Sequence, residues 1–222
     1  ASNEAAFLYQ LFVRAFGTNN FPDCSNMCHE TTSVGLLDSI GLGKGTVTLE
    51  DFDIADAIFS FGHNPGTNHP RMLGTLREVS RRGGNIVAIN PLKERGLERF
   101  QDPQAAVEMM TNGSTPISRY YFQPNVGGDY ALMFGMLKHL REWDIQALAA
   151  EKKSVFDRSF IEMNTVGFDA MMEEIDRTAW SDIHAHTGLS PEHLESLAKM
   201  YLDAKTAIFC WGMGITQHRH GT

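Results

Sequence analysis

A thiol and an imidazole stand side by side at Cys28-His29, and Glu30-Thr31-Thr32-Ser33-Val34-Gly35-Leu36 follows them. Apolar spacing from Ser33 to Ile40 predicts a helix that begins near this pair. Backbone N–H groups at a helix start lack intrahelical partners and carry partial positive charge. That setting lowers a cysteine pKa and raises its thiolate content. A thiolate is a ligand for soft metals, and His29 can exchange a proton near neutral pH. Taken alone, the dipeptide is better explained as a buried small cysteine beside an ordinary polar histidine, and it is the rest of the chain that reverses this. Cys24 would make a Cys24-x3-Cys28-His29 half-site, without the second pair that a complete zinc or iron–sulfur site needs.

A second group of residues recurs after four short apolar runs. Ala57–Phe61, Ile86–Ile89, Arg119–Phe122 and Ala207–Trp211 read as buried strands. Gly62-His63-Asn64-Pro65-Gly66-Thr67-Asn68-His69-Pro70 follows the first, and Asn90-Pro91 the second. Pro124-Asn125-Val126-Gly127-Gly128-Asp129 follows the third, and Gly212-Met213-Gly214-Ile215-Thr216-Gln217-His218 the fourth. Glycines allow close backbone approach, and Asn, Thr, Gln and Asp offer directed hydrogen bonds. Any one loop would be explained as a turn. Four at strand ends suit a long, polar, phosphate-bearing ligand, because ligands of parallel α/β sheets bind outside the carboxyl ends of the strands. None is G-x-G-x-x-G or a P-loop, which weighs against an ordinary nucleotide-binding domain with one phosphate loop. His63 and His69 have no third metal ligand nearby and read as loop hydrogen-bonding groups.

The elements that must position these loops alternate. Helices are expected over Ala5–Phe16, after a Thr48 cap, over Arg71–Arg82 and over Tyr130–Glu142 capped by Asp129. Others are expected over Phe156–Ile183 with a break at Gly167, and from Ser190-Pro191 to about Leu202. Ala147–Ser154 reads as a polar surface connection. Strands alternating with helices predict an α/β fold whose parallel sheet is covered by helices on both faces. The chain has 222 residues, 42% of them hydrophobic, enough for one large core, and is treated as one α/β region over 1–222. A net charge of −8 argues against non-specific nucleic-acid binding but leaves room for an anionic cofactor held by backbone amides. Three cysteines form no disulfide framework and point to a reducing, cytoplasmic setting. No run reaches the ~18 apolar residues of a membrane span. The first residue is not Met, and the last follows a Gly-rich turn, so the chain is expected to be part of a larger protein.

The four loops, in this order, resemble those of the molybdopterin oxidoreductase family, which includes formate dehydrogenases and dimethyl sulfoxide reductase. Cys28-His29 with Ser33-Val34-Gly35-Leu36 is similar to the formate-dehydrogenase branch. There, the resemblance implies, Cys28 ligates molybdenum or tungsten and His29 assists proton transfer. It also implies a truncated central domain of the formate dehydrogenase/dimethyl sulfoxide reductase type holding bis-molybdopterin guanine dinucleotide. Gly62, Asn64, Pro65 and His69 would contact that cofactor in the first loop, Asn90 and Pro91 in the second, and Gly128 and Asp129 in the third. Gly212, Met213, Gly214, Thr216, Gln217 and His218 would do so in the fourth. The implied activity is two-electron redox by a catalytic alpha subunit acting on a small molecule, with an electron-transfer subunit as partner. An upstream iron–sulfur domain (a 4Fe–4S cluster) and a downstream cap domain with a substrate-binding Arg belong to the family's pattern and are absent from this sequence. By itself, then, the chain is expected to be inactive and to lack metal and pterin, with mobile loops at Gly62–Pro70 and Gly212–Thr222. Glu30 and Thr31 stand where formate dehydrogenases carry Gly and Pro, and a carboxylate there repels an anionic substrate. Asn90 replaces a common Asp and Gly128 a common Thr. The alternative function is a non-catalytic binding or assembly subunit that keeps the fold.

Overall fold

Two units make up the computed structural model, which describes residues 2–21 and 28–221: one within 1–44, the other over 45–221. Cys24 lies outside the described residues.

In the first unit, α1 (Asn3–Phe16) starts where Ser2 accepts a hydrogen bond from the Ala5 N–H at 3.2 Å, and ends at Gly17 in the left-handed region. Its apolar side is largely exposed. Helix α2 (Glu30–Ile40) begins immediately after His29, whose side chain makes no capping bond, and closes on Gly41 at φ 74°. The expected helix behind Cys28 is therefore present, with His29 at its N-cap position.

The second unit holds the sheet. Helix α3 (Asp51–Ile54) precedes β1 (Ala57–Phe61), whose residues are all buried. Its capping reverses the expectation: the Asp51 carboxylate accepts from the Thr48 N–H at 2.6 Å and from the Thr48 hydroxyl at 3.1 Å. A carboxylate is the stronger acceptor. Next come α4 (Pro65–Asn68), α5 (Met72–Arg81) and β2 (Asn85–Ile89). The segment from α6 (Arg95–Glu98) through β3 (Arg99–Phe100), α7 (Ala106–Thr111) and β4 (Thr115–Pro116) leads to β5 (Tyr120–Phe122). Helix α8 (Asp129–Ala149) is followed by α9 (Arg158–Asn164), α10 (Phe168–Arg177), α11 (Trp180–Thr187) and α12 (Pro191–Asp203). Strand β6 (Ala207–Trp211) and the short α13 (Met213–Thr216) end the described chain.

Four strands form a sheet in the order β5-β2-β1-β6, and all three of its pairings are parallel. Phe61 pairs with Ile89 on one side and Trp211 on the other. Side-chain alternation along a strand divides the core. Phe59, Phe61, Val87 and Ile89 pack with Leu132, Met136, Leu194 and Leu197 of α8 and α12. Ile58 and Ile86 pack with Phe52, Leu73, Leu76 and Val79 of α3 and α5. Both faces are covered, as the alternation of elements predicts.

Three details differ from expectation. Gly128, not Asp129, occupies the cap position of α8, and Asp129 is its first helical residue. Phe156–Ile183 breaks twice, at Gly167 and again at Thr178. The Thr178 hydroxyl bonds the Glu174 carbonyl at 2.8 Å, and Trp180 restarts the chain with its indole N–H on Glu142 of α8 at 2.9 Å. The connection expected from Ala147 is helical to Ala149, and its remainder is anchored by buried Asp144, which accepts from the Ser154 hydroxyl at 2.5 Å, the Val155 N–H at 2.8 Å and Arg158. Among the described residues, no helix is long and apolar enough to cross a membrane.

Candidate functional site

The strand order turns around between β1 and β6: β2 and β5 lie to one side of β1, and the last strand lies on the other. Open α/β sheets form their binding crevice at this reversal, outside the carboxyl ends. Gly62 and Gly214 meet there. The Gly214 N–H donates to the Gly62 carbonyl at 3.2 Å. A Cβ built on Gly214 would lie 2.6 Å from Gly62 Cα, and one on Gly62, which has φ +52°, would lie 2.7 Å from Gly214 Cα. Only glycines permit this approach. A Cβ on Gly212 would meet the Gly62 carbonyl oxygen and His63 Cδ2, each at 3.4 Å.

The first loop then turns through α4. Asn64 Oδ1 accepts from the Thr67 N–H at 3.1 Å, and Pro65 sits at the helix start, buried. Buried His63 places Nε2 3.1 Å from Nδ1 of exposed His69 and Nδ1 3.5 Å from the Ser60 hydroxyl. Burial, aided by His69, pushes the His63 pKa down to about 4, so its ring is neutral at neutral pH. The second loop is tied to β5. The Asn90 N–H donates to the Phe122 carbonyl at 3.0 Å, and Gln123 Nε2 donates to the Pro91 carbonyl at 2.8 Å. In the third loop, Gly128 is wedged so that a Cβ would lie 2.7 Å from the His186 carbonyl oxygen. This is a packing reason for glycine where a threonine would not fit.

Between the third and fourth loops lies a cleft of about 480 Å³. Its wall is aromatic and apolar: Phe61, Tyr130, Met133, Phe209, Trp211 and Ile215. Asp129 and His218 line the same cleft. Burial pushes the Asp129 carboxyl above its usual range, and His218 opposes that shift. The structure thus gathers Gly62, Gly212, Gly214, His63 and His69 at one end of β1, and Asp129 with His218 at the neighbouring cleft. Asn90 and Pro91 remain at the β2–β5 end, bonded to the sheet. Thr216 is buried, whereas Met213 and Gln217 are exposed. Cys28 and His29 belong to the first unit, Cys28 half-buried and His29 exposed. Among the described residues, no cluster of three or more His, Cys, Asp or Glu is arranged to hold a metal ion. The aromatic wall was hidden in the sequence because Phe61, Phe209 and Trp211 read as strand core. Their common face follows from the parallel register, which pairs Phe61 with Trp211.

No protein-family model matches the chain. YdeP of Escherichia coli K12 is 56% identical over 221 residues, covering 100% of this chain and 29% of that protein. Formate dehydrogenase H of the same organism is 28% identical over 220 residues, 99% of this chain and 27% of that enzyme. The chain thus spans under a third of the curated relatives it matches. Acetylene hydratase from Pelobacter acetylenicus shares the fold, with a TM-score of 0.65 at 17% identity over 94% of this chain and 24% of that one. Over nearly its whole length the chain is thus similar to a part of formate dehydrogenase H and of YdeP, and it shares the fold of acetylene hydratase. The groups at the β1–β6 reversal suit a phosphate-bearing ligand: glycine backbone that any side chain would block, the His63–His69 imidazole pair, and an apolar cleft beside them. No carboxylate lies among the first-loop residues Gly62 to Pro70.

Proposed function

We propose that this chain is the cofactor-holding part of a two-electron oxidoreductase, in which the β1–β6 crevice carries bis-molybdopterin guanine dinucleotide. The observation that carries this reading is the side-chain-free meeting of Gly62 and Gly214 at the sheet reversal. The exposed His69 imidazole beside it would face phosphate, and the aromatic cleft would take a flat ring against Phe61, Phe209 and Trp211. Asn64, Asn90, Gln217 and His218 would supply directed hydrogen bonds. Cys28 would hold the molybdenum or tungsten through its sulfur, thiolates being ligands for soft metals. His29, beside Cys28, would take up and release the proton that accompanies a two-electron change. When bound, the cofactor supplies the redox chemistry, and the protein supplies ligation, orientation and electrostatics. Glu30 beside the pair disfavours an anionic substrate such as formate, so a neutral small molecule is the better match. The whole protein would be cytoplasmic, with a 4Fe–4S cluster upstream and an electron-transfer subunit as partner.

The test is elemental analysis and turnover of the full-length protein expressed with cofactor supply. Stoichiometric molybdenum or tungsten, lost or catalytically silenced in Cys28→Ser, is the expected result. Absence of both metals refutes the assignment. A metal-free protein whose cellular phenotype survives Cys28→Ser would instead fit a non-catalytic assembly role.

A further inference from the structure

Ser60, His63 and His69 form a continuous hydrogen-bonded line at the carboxyl end of β1. Ser60 Oγ lies 3.5 Å from His63 Nδ1, and His63 Nε2 lies 3.1 Å from His69 Nδ1. Ser60 is 1% and His63 7% exposed. Both nitrogens of His63 are therefore used internally, and the ring cannot itself contact a ligand through them. Its carbon edge packs toward Gly212 of the opposite loop. His69 is exposed, and among the described residues its Nε2 meets no protein group.

The direction of the line follows from satisfying the buried hydroxyl. Among the described residues, Ser60 Oγ meets only His63 Nδ1. If that hydroxyl accepted from the ring, its own proton would be buried without an acceptor, which is costly. Ser60 therefore donates to His63 Nδ1. A neutral imidazole has one N–H, so the His63 proton sits on Nε2 and is donated to His69 Nδ1. The His69 proton then sits on Nε2, facing outward. Both rings adopt the Nε2–H tautomer, the intrinsically preferred neutral form of histidine. The low pKa that burial gives His63 keeps it neutral, as the line requires.

We propose that His63 is a positioning residue that fixes the tautomer of His69, making His69 Nε2–H a neutral hydrogen-bond donor to a phosphate oxygen at the crevice. This rests on the crevice being a phosphate site, as argued above. A neutral donor pre-set in one tautomer loses no free energy to tautomer selection when the ligand arrives. Ser60 and His63 take no part in ligand contact; they act through His69.

Two variants separate positioning from mere packing. His63→Phe keeps a planar ring but removes both nitrogens. His63→Gln keeps an N–H donor near the place of Nε2. The protein is labelled with 15N-histidine and read by long-range 1H–15N correlation, and inorganic pyrophosphate is titrated by calorimetry. We expect one Nε2–H tautomer at His69 in the wild type, a tautomer mixture in His63→Phe, and its restoration in His63→Gln. A tautomer mixture leaves only part of the His69 population able to donate through Nε2, which should weaken pyrophosphate binding about twofold in His63→Phe, with recovery in His63→Gln. An Nδ1–H or mixed tautomer at His69 in a wild type that binds pyrophosphate overturns the positioning role alone. A fixed Nε2–H tautomer without pyrophosphate binding overturns the phosphate-facing role together with the crevice assignment. Equal affinity in wild type and His63→Phe also overturns the proposal.

Discussion

Replacing Gly214 by alanine tests the sheet reversal directly. The added Cβ would stand 2.6 Å from both the Cα and the carbonyl oxygen of Gly62, against the 3.4 Å at which ordinary contact begins. Neither atom belongs to a side chain that could swing aside. Gly62 is also held from behind, since its N–H donates to the Ile89 carbonyl at 2.9 Å. The α13 turn must therefore move, and with it the Gly214-to-Gly62 hydrogen bond. Overpacking of this kind costs ~1–3 kcal/mol, and the hydrogen bond adds about 1 kcal/mol. Alanine returns up to ~1 kcal/mol of helix propensity. The expected net loss is about 2 kcal/mol. Urea unfolding followed by far-ultraviolet circular dichroism measures it, as a lowered midpoint at unchanged m. Gly74→Ala in α5 is the control. It lies in a helix with nothing within 4 Å of the new Cβ, and should stabilise by ~0.5–1 kcal/mol. A Gly214→Ala protein within ~0.5 kcal/mol of wild type would refute the claim that this approach requires glycine.

Further outcomes follow from other contacts. Arg77, with the Asp102 N–H, holds the Glu108 pKa down to about 2 from 4.5. Its stabilisation is therefore present above pH 4.5 and is lost as pH falls from there towards 2. Melting temperatures across that window should fall less steeply in Glu108→Gln, and an unchanged slope would contradict this account. Burial would raise the Asp144 carboxyl, but Ser154, Val155 and Arg158 together hold it below its usual range. Asp144→Ala should cost about 3 kcal/mol in urea unfolding by leaving that network unpaired, and a loss under ~1 kcal/mol would show the network to be dispensable. Burial pushes the Cys210 thiol up to about 11. Alkylation at neutral pH, mapped by peptide mass, should therefore modify Cys210 much more slowly than Cys28, and equal rates would contradict the contrast.

The sheet was readable because its central strands are uninterrupted apolar runs. Ile58, Phe59 and Phe61 have no polar neighbour but Ser60, and the Gly62 and Asn90 stops are unambiguous. The loops at the carboxyl ends were readable for the same reason. The segment from Arg95 to Pro116 was not. Its helices have four and six residues and its strands two, too short for any period to register. It is held by side chains far away in sequence, with Arg77 reaching Asp102 at 3.0 Å and Glu108 at 2.7 Å. The His63–His69 contact is not legible in the sequence because it depends on how α4 turns the chain back. Composition shows two histidines there, and only the backbone path decides that their nitrogens meet. Gly128 in place of a threonine reads in sequence as a departure from the family's pattern, and in structure as a consequence of the His186 carbonyl beside it.

The position of β6 has a bearing on how the protein is made. Asp56 at the foot of β1 hydrogen-bonds Thr206, 150 residues later, and the whole outer edge of β1 is completed only by Ala207–Trp211. At a synthesis rate of ~5–20 residues per second, that edge waits on the order of ten seconds or more for its partner. During this interval the nascent chain carries the open edge of an apolar strand, the feature that invites pairing with other chains. The crevice comes into being with the same event, because Gly214 arrives just behind β6. Pairing with β6 covers that edge of the fully buried β1 and creates the site in one event.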